Sequence, residues 1–141
     1  MDRLFMAFDY GERRTGVAIS QSLTRTARPI STLCHPLAQM DWPAIEKLIK
    51  QWMPQEIIVG MPDNSDQNKS LRKKIRAFCG ELEQRFNLPV HTHDETLTSD
   101  EAYFQLKIKR QKSKNKIDKK EIDRIAAAIL LESWMSVNLP Q

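Results

Sequence analysis

An α/β protein with one mixed, five-stranded sheet and helices on both of its faces is what the order of apolar runs predicts. Three observations carry that reading. Strand-like runs come first, at 4–20 and 28–33, with no helical pattern between them. Short apolar runs then alternate with segments that repeat every 3.6 residues. The later runs, at 56–60 and 89–93, are separated by a long helical segment, so they need crossovers and lie parallel, whereas the first three can pair antiparallel. No repeat, low-complexity stretch or domain boundary interrupts the 141 residues, which are expected to form a single domain, 1–141, with a real core.

The first element is a hairpin. Leu4, Phe5, Met6, Ala7 and Phe8 run up to Asp9, the stretch from Tyr10 to Gly16 turns, and Val17, Ala18 and Ile19 return. An aspartate where a strand leaves the sheet can be held rigidly by the core behind it and still face a metal or solvent, or it can simply initiate a turn. Gly11 and Gly16 are expected to take positive φ or to admit a close backbone such as a substrate phosphate. A third strand covers 26–33, and Pro29 places it near a sheet edge. Asp41 is a helix N-cap with Pro43 in the first turn, and Trp42, Ile45, Leu48, Ile49 and Trp52 share one face until Pro54.

The continuous apolar run 56–60 is a strand buried on both faces. A loop through Asp63 leads to a long helix over 68–86, with Leu71, Ile75, Phe78, Cys79, Leu82 and Phe86 inward. The strand 89–93 ends at Asp94 and Glu95. Thr98 with Glu101 forms a capping box for a helix over 99–109, and Asp118 with Glu121 forms a second one, opening the last helix, to 137.

Charge is uneven. Net charge is +4, yet the window 107–120 carries Lys107, Lys109, Arg110, Lys112, Lys114, Lys116, Lys119 and Lys120 against Asp118. Such a segment on an otherwise slightly acidic body suits a polyanion, or is a solvated loop. No stretch approaches the about 18 apolar residues of a membrane span. The N-terminus shows no signal-peptide pattern, and Cys34 and Cys79 lack ligand spacing, which reads as reduced core thiols in a cytoplasmic protein.

Acids collect where strands end, the usual place for a site in an open α/β sheet. Asp9, Asp63, Asp94 and Glu95 lie there. Asp123 borders the apolar stripe of the last helix instead of opposing it, and an inward carboxylate is costly unless paired or metal-bound. The alanines 126–128 let that helix lie close to the sheet. Three converging carboxylates suit Mg²⁺ or Mn²⁺, and two such ions about 3.5–4 Å apart can drive phosphodiester hydrolysis. His91 and His93 share a strand face but lack a third ligand, His35 has no evident partner, and Ser20, Ser22 and Ser31 lack a nucleophile-elbow context.

The residues that carry this pattern resemble the YqgF (RuvX) family of the RNase H-like superfamily. The resemblance rests on 7–11 with 14–20, on Thr26, Ala27, Arg28 and Pro29, on 56–62, on 93–98 and on 122–127, in the family's order and over nearly the whole chain. It implies strand order 3-2-1-4-5 and a divalent-metal nuclease whose acidic positions fall on Asp9, Glu95 and Asp123 as catalytic and metal-holding residues. The family is associated with maturation of the 5′ end of pre-16S ribosomal RNA and, by analogy, with Holliday-junction cleavage. The chain departs from the pattern at Thr96, where an arginine is usual, at Arg124 and Asp63, and in the lysine-rich window, which replaces a glycine-containing loop.

The resulting expectation is a nuclease for structured nucleic acid, pre-rRNA or branched DNA, monomeric or homodimeric. Asp9, Glu95 and Asp123 gather at one rim, open to water. Arg13, Arg14, Lys69, Arg72, Lys112, Lys114 and Lys116 contact phosphates. A binding protein without cleavage is the alternative. A phosphotransferase of the actin type would need a second domain.

Overall fold

The computed structural model describes residues 2–98 and 101–140, without the side chains of 101, 102, 107, 116 and 117. Strands β1 (Leu4–Tyr10), β2 (Arg14–Gln21) and β3 (Arg28–Cys34) lead into helix α1 (Trp42–Trp52). Strand β4 (Glu56–Met61), helix α2 (Lys69–Phe86) and strand β5 (Val90–Asp94) follow, and helices α3 (Glu101–Lys112) and α4 (Lys116–Asn138) close the chain. The sheet order is β3-β2-β1-β4-β5. β1 and β2 pair antiparallel, as do β2 and β3, while β4 lies parallel to both β1 and β5. The directions are those the sequence predicts, and the order is the one the family resemblance implies.

Local chemistry explains the elements. Asp41 accepts the Ala44 amide at 3.1 Å and caps α1, Pro43 stands in the first turn, and Met53 in the left-handed region ends the helix before Pro54. Asn87 ends α2 in the same way. Pro29 sits on the edge strand β3 beside a register shift at Val17/Ala18, where its missing N–H leaves no gap in a regular ladder.

Alternation along the strands sends large side chains to one face. Met6, Phe8, Val17, Ile19, Ile57 and Val59 meet Ile45 of α1 and Ile75, Phe78 and Leu82 of α2 there. The other face carries Phe5 and Ile58 but is lined by smaller residues toward the site, Ala7 and Ala18 among them, and receives α4 through Ala127, Ala128 and Leu131.

The C-terminal third departs from expectation. The basic window is mostly helix: α3 runs on to Lys112, residues 113–115 form the joint, and α4 begins at Lys116. Asp118 therefore lies in the first turn of α4 and does not cap it. The capping box expected of Thr98 and Glu101 falls outside the described residues. Cys79 is buried, and burial pushes its thiol up to about 11, but Cys34 is exposed at the end of the edge strand. No helix among the described residues is long and apolar enough to cross a membrane.

Candidate active site

The site is laid out across three adjacent strands. Asp9, next to last in β1, shares a face with Phe5 and Ala7, the face that packs on α4, and is 2% exposed. Its neighbour on β2 is Gly16. On β4 its neighbour is Gly60, one step beyond the Phe8–Val59 pair. Each glycine makes room for one more acid.

A Cβ on Gly16 would stand 1.9 Å from the backbone oxygen of Asp123, so α4 presses its backbone onto β2 at this point. No glycine among the described residues has positive φ. The close approach expected at Gly16 is thus made by a helix carbonyl rather than by a phosphate. A Cβ on Gly60 would meet the Leu130 side chain at 2.9 Å and Glu95 Oε1 at 3.4 Å. Glu95 opens the 3₁₀ turn Glu95–Leu97 directly after β5, and Asp94 caps that turn by accepting the Thr96 amide at 2.9 Å and its hydroxyl at 2.7 Å. Those Thr96 hydrogen bonds hold the Asp94 carboxyl below its ordinary pKa. Asp123 lies over one neighbour of Asp9 and Glu95 over the other.

Helix α3 closes this arrangement. Arg110 Nη1 donates to Asp123 Oδ1 at 2.7 Å and stands 3.8 Å from Asp9 Oδ2. Arg14 Nε donates to the other Asp123 oxygen at 2.8 Å. Two turns before Arg110, Tyr103 packs on Ala126 and Leu130 with its ring 1% exposed. Burial first, then the charges of Asp9 and Glu95 and a side-chain contact with Glu95, push the Tyr103 hydroxyl pKa far above its ordinary value. For Arg110, burial works to lower the pKa, but the charge of Asp9 and the hydrogen bond and charge of Asp123 outweigh it and raise it. The acids are therefore gathered but covered. Openness to water was expected, and the buried state of Asp9 and Asp123 corrects it, because α3 reaches three residues further than its apolar pattern implies and lays Arg110 over them.

The remaining expected contacts scatter. Arg13 is exposed in the hairpin turn, and its carbonyl accepts the His35 amide at 2.8 Å. Arg14 faces a carboxylate. Lys69 is exposed at the start of α2, whereas the Arg72 guanidinium is turned onto the Pro62 carbonyl. Lys112 is exposed at the end of α3 and Lys114 in the joint; Lys116 opens α4, and its side chain is outside the described set. Arg124 points to the β3 edge, its Nε 3.4 Å from Thr32 Oγ1. Asp63 accepts the Ser65 amide at 3.2 Å and the Asn68 side chain at 2.8 Å, closing its own loop.

The histidines are also accounted for. His35, buried, bonds Thr15 Oγ1 at 2.9 Å, His91 bonds Glu56 at 2.8 Å, and His93 bonds Ser133 at 2.9 Å. Sequence reasoning missed Tyr103 and, as a residue of the site, Arg110. Their seven-residue spacing, two helical turns, was the available signal.

Comparison with known proteins decides the family. The RuvX family profile, described as Holliday junction resolvase, matches residues 3–137. The chain belongs to the RuvX family. With it the chain joins the hydrolases that act on phosphodiester bonds. A RuvX relative from Pseudomonas putida is 42% identical over 137 residues, spanning 96% of both chains. Another, from Azotobacter vinelandii, is 40% identical and spans 95% of this chain and 94% of its own. Both carry the provisional name pre-16S rRNA nuclease. Among solved structures, T. thermophilus RuvC with a Holliday junction substrate aligns with TM-score 0.58 at 13% identity, covering 97% of this chain and 96% of that one. The fowlpox virus resolvase with Holliday junction DNA aligns with TM-score 0.54 at 17% identity, covering 97% and 99%. At such identities these likenesses show the fold, which is RNase H-like.

Proposed function

We propose that this RuvX-family chain is a divalent-metal-dependent endonuclease that trims the 5′ end of pre-16S ribosomal RNA in the cytoplasm, with Asp9, Glu95 and Asp123 as its catalytic and metal-holding residues. The observation that carries the site assignment is the pair of glycines beside Asp9, one under Asp123 and the other under Glu95. Full-length relatives near 40% identity support RNA as the substrate.

The donor set fits Mg²⁺ or Mn²⁺. All three ligands are carboxylates, and hard cations prefer oxygen. A cation already stands among them, since Arg110 spans Asp9 and Asp123 as a shared ion would. A bound pair of such ions would supply Lewis acidity, lowering the cost of the charge that develops on the phosphate as the ester bond breaks. The chain's own residues do the rest. Asp9, on the rigid middle strand of the sheet, stands between the other two acids and fixes the centre of the site. Asp123 is held to the sheet by the helix contact at Gly16, and Glu95 by the capped turn after β5. Exposed Arg13, Lys112 and Lys114 bind backbone phosphates and orient the strand.

The family description gives the second reading, cleavage of a four-way DNA junction. That substrate is two-fold symmetric and favours a homodimer, whereas trimming RNA needs only a monomer. Purified protein should be given 5′-extended pre-16S RNA and a synthetic junction, with Mg²⁺, with Mn²⁺ and with EDTA, alongside light scattering. The proposal expects RNA cleavage that stops with EDTA and with Asp9→Asn, while that variant still binds RNA. Cleavage of the junction alone would move the assignment to DNA. Salt-dependent binding without product under any metal would make the protein a binder.

A further inference from the structure

We propose that Arg110 is a latch that competes with divalent cations for Asp9 and Asp123, so that metal loading requires Arg110 to let go and a polynucleotide backbone helps it to do so. The proposal rests on the reading of these acids as metal-holding.

A single nitrogen, Nη1 of Arg110, stands 2.7 Å from Asp123 and 3.8 Å from Asp9, in the space a cation shared by the two would need. The other Asp123 oxygen is taken by Arg14. Both acids are 2% exposed at their side chains, so water does little to weaken these contacts. Arg14 and Arg110 between them offset much of the negative charge that would draw a divalent ion to these two acids. As the side chains stand, no group of three or more His, Cys, Asp or Glu residues among those described is placed to hold a metal.

Release is structurally simple. Tyr103 anchors α3 to α4 through Ala126 and Leu130. The outer surface of the helix is exposed at Phe104, Ile108, Lys109 and Lys112. A guanidinium binds phosphate oxygens in a bidentate manner at least as well as it binds carboxylate. A backbone drawn to Lys109, Lys112 and Lys114 thus offers Arg110 a replacement partner at the same helix end. Metal and nucleic acid then bind with positive, reciprocal coupling.

Mn²⁺ binding by the full chain, followed by electron paramagnetic resonance of the free ion, tests this without reference to turnover. Arg110→Gln is expected to bind Mn²⁺ roughly tenfold tighter than the wild type, and to gain a larger rise in melting temperature on adding Mn²⁺. A phosphorothioate RNA hairpin should tighten Mn²⁺ binding to the wild type and change nothing in Arg110→Gln. Gln111→Ala, at an exposed position of the same helix, should match the wild type with and without RNA. Equal Mn²⁺ affinity in wild type and Arg110→Gln, with binding lost in Asp9→Asn, would overturn the latch and leave the metal site standing. Unchanged binding in Asp9→Asn would overturn both. Should Arg110→Gln fail to fold, Arg110→Lys serves: its side chain is shorter and its ammonium more strongly hydrated, so it holds the acids less firmly, tighter Mn²⁺ binding by a smaller factor is expected, and equal affinity overturns the latch.

Discussion

The two faces of the sheet are built on opposite principles. Toward α1 and α2 the strands offer Met6, Phe8, Ile57 and Val59, and side chains fill the space between layers. Toward α4, around the site, they offer Gly16, Ala18, Ala7 and Gly60, and the helix comes down almost onto the strand backbone there. The thick face removes apolar surface from water and supplies stability. The thin face gives up part of that burial and gains position, since it sets the backbone of an acid-bearing helix against the residue that pairs with Asp9. Stability and chemistry are thereby separable by mutation.

Substitution on the thick face should cost stability without touching cleavage. Phe78→Ala removes a ring packed edge-on against Phe8 at 5.6 Å. It should destabilise by about 3–5 kcal/mol in urea unfolding, while the rate per folded molecule stays at the wild-type level. A lowered rate would mean that the two faces are coupled. On the thin face the pattern should invert. Gly16→Ala brings a methyl into contact with the Asp123 carbonyl and should cost about 1–3 kcal/mol, yet cleavage should be lost, because α4 must shift and take Asp123 with it. Near-normal activity in a folded Gly16→Ala protein would show that the close approach does not set the site.

A smaller effect sharpens the comparison by pH, because each face holds one buried, neutral histidine-type contact. Burial lowers the pKa of His35, helped by the charge of Arg14, and burial likewise lowers that of His93 against the opposing pull of Asp94. The unfolded chain then binds protons more readily than the native one below the ordinary value of 6.5. Stability should be intact above that pH and decline as the pH falls through it toward the lower native values. His35→Asn and His93→Gln should each flatten the decline in thermal melts between about pH 7.5 and 5; melting curves that keep the wild-type slope would assign the loss to other groups.

Much of this was written locally in the sequence. The five strands, α1 and α2 follow from alternation, from the 3.6-residue pattern and from Asp41, Pro43 and Pro54. Asp9 stood out because it ends a strand and Asp123 because it borders the apolar stripe of its helix, whereas among Asp63, Asp94 and Glu95 only the family resemblance singled out Glu95. What was not legible depends on tertiary contact. In a run of eight cations, only the seven-residue spacing from Tyr103 hints at Arg110; that it turns inward follows from where α3 lies. The full length of α3 was hidden because Phe104 and Ile108, two of its three apolar residues beyond Tyr103, are exposed. Gly16 was visible as special, but the partner that demands it, the α4 backbone, sits more than a hundred residues away in the chain.

Glycine-flanked Asp9, Glu95 and Asp123 act as one unit in this account, and units lose activity non-additively. The most direct measurement is cleavage by Asp9→Asn, Glu95→Gln and Asp123→Asn, singly and in pairs, with folding checked for each. Each single variant should fall by roughly three orders of magnitude or more, with the pairs scarcely lower. A folded single variant that cleaves at the wild-type rate would remove that residue from the site and contradict the account.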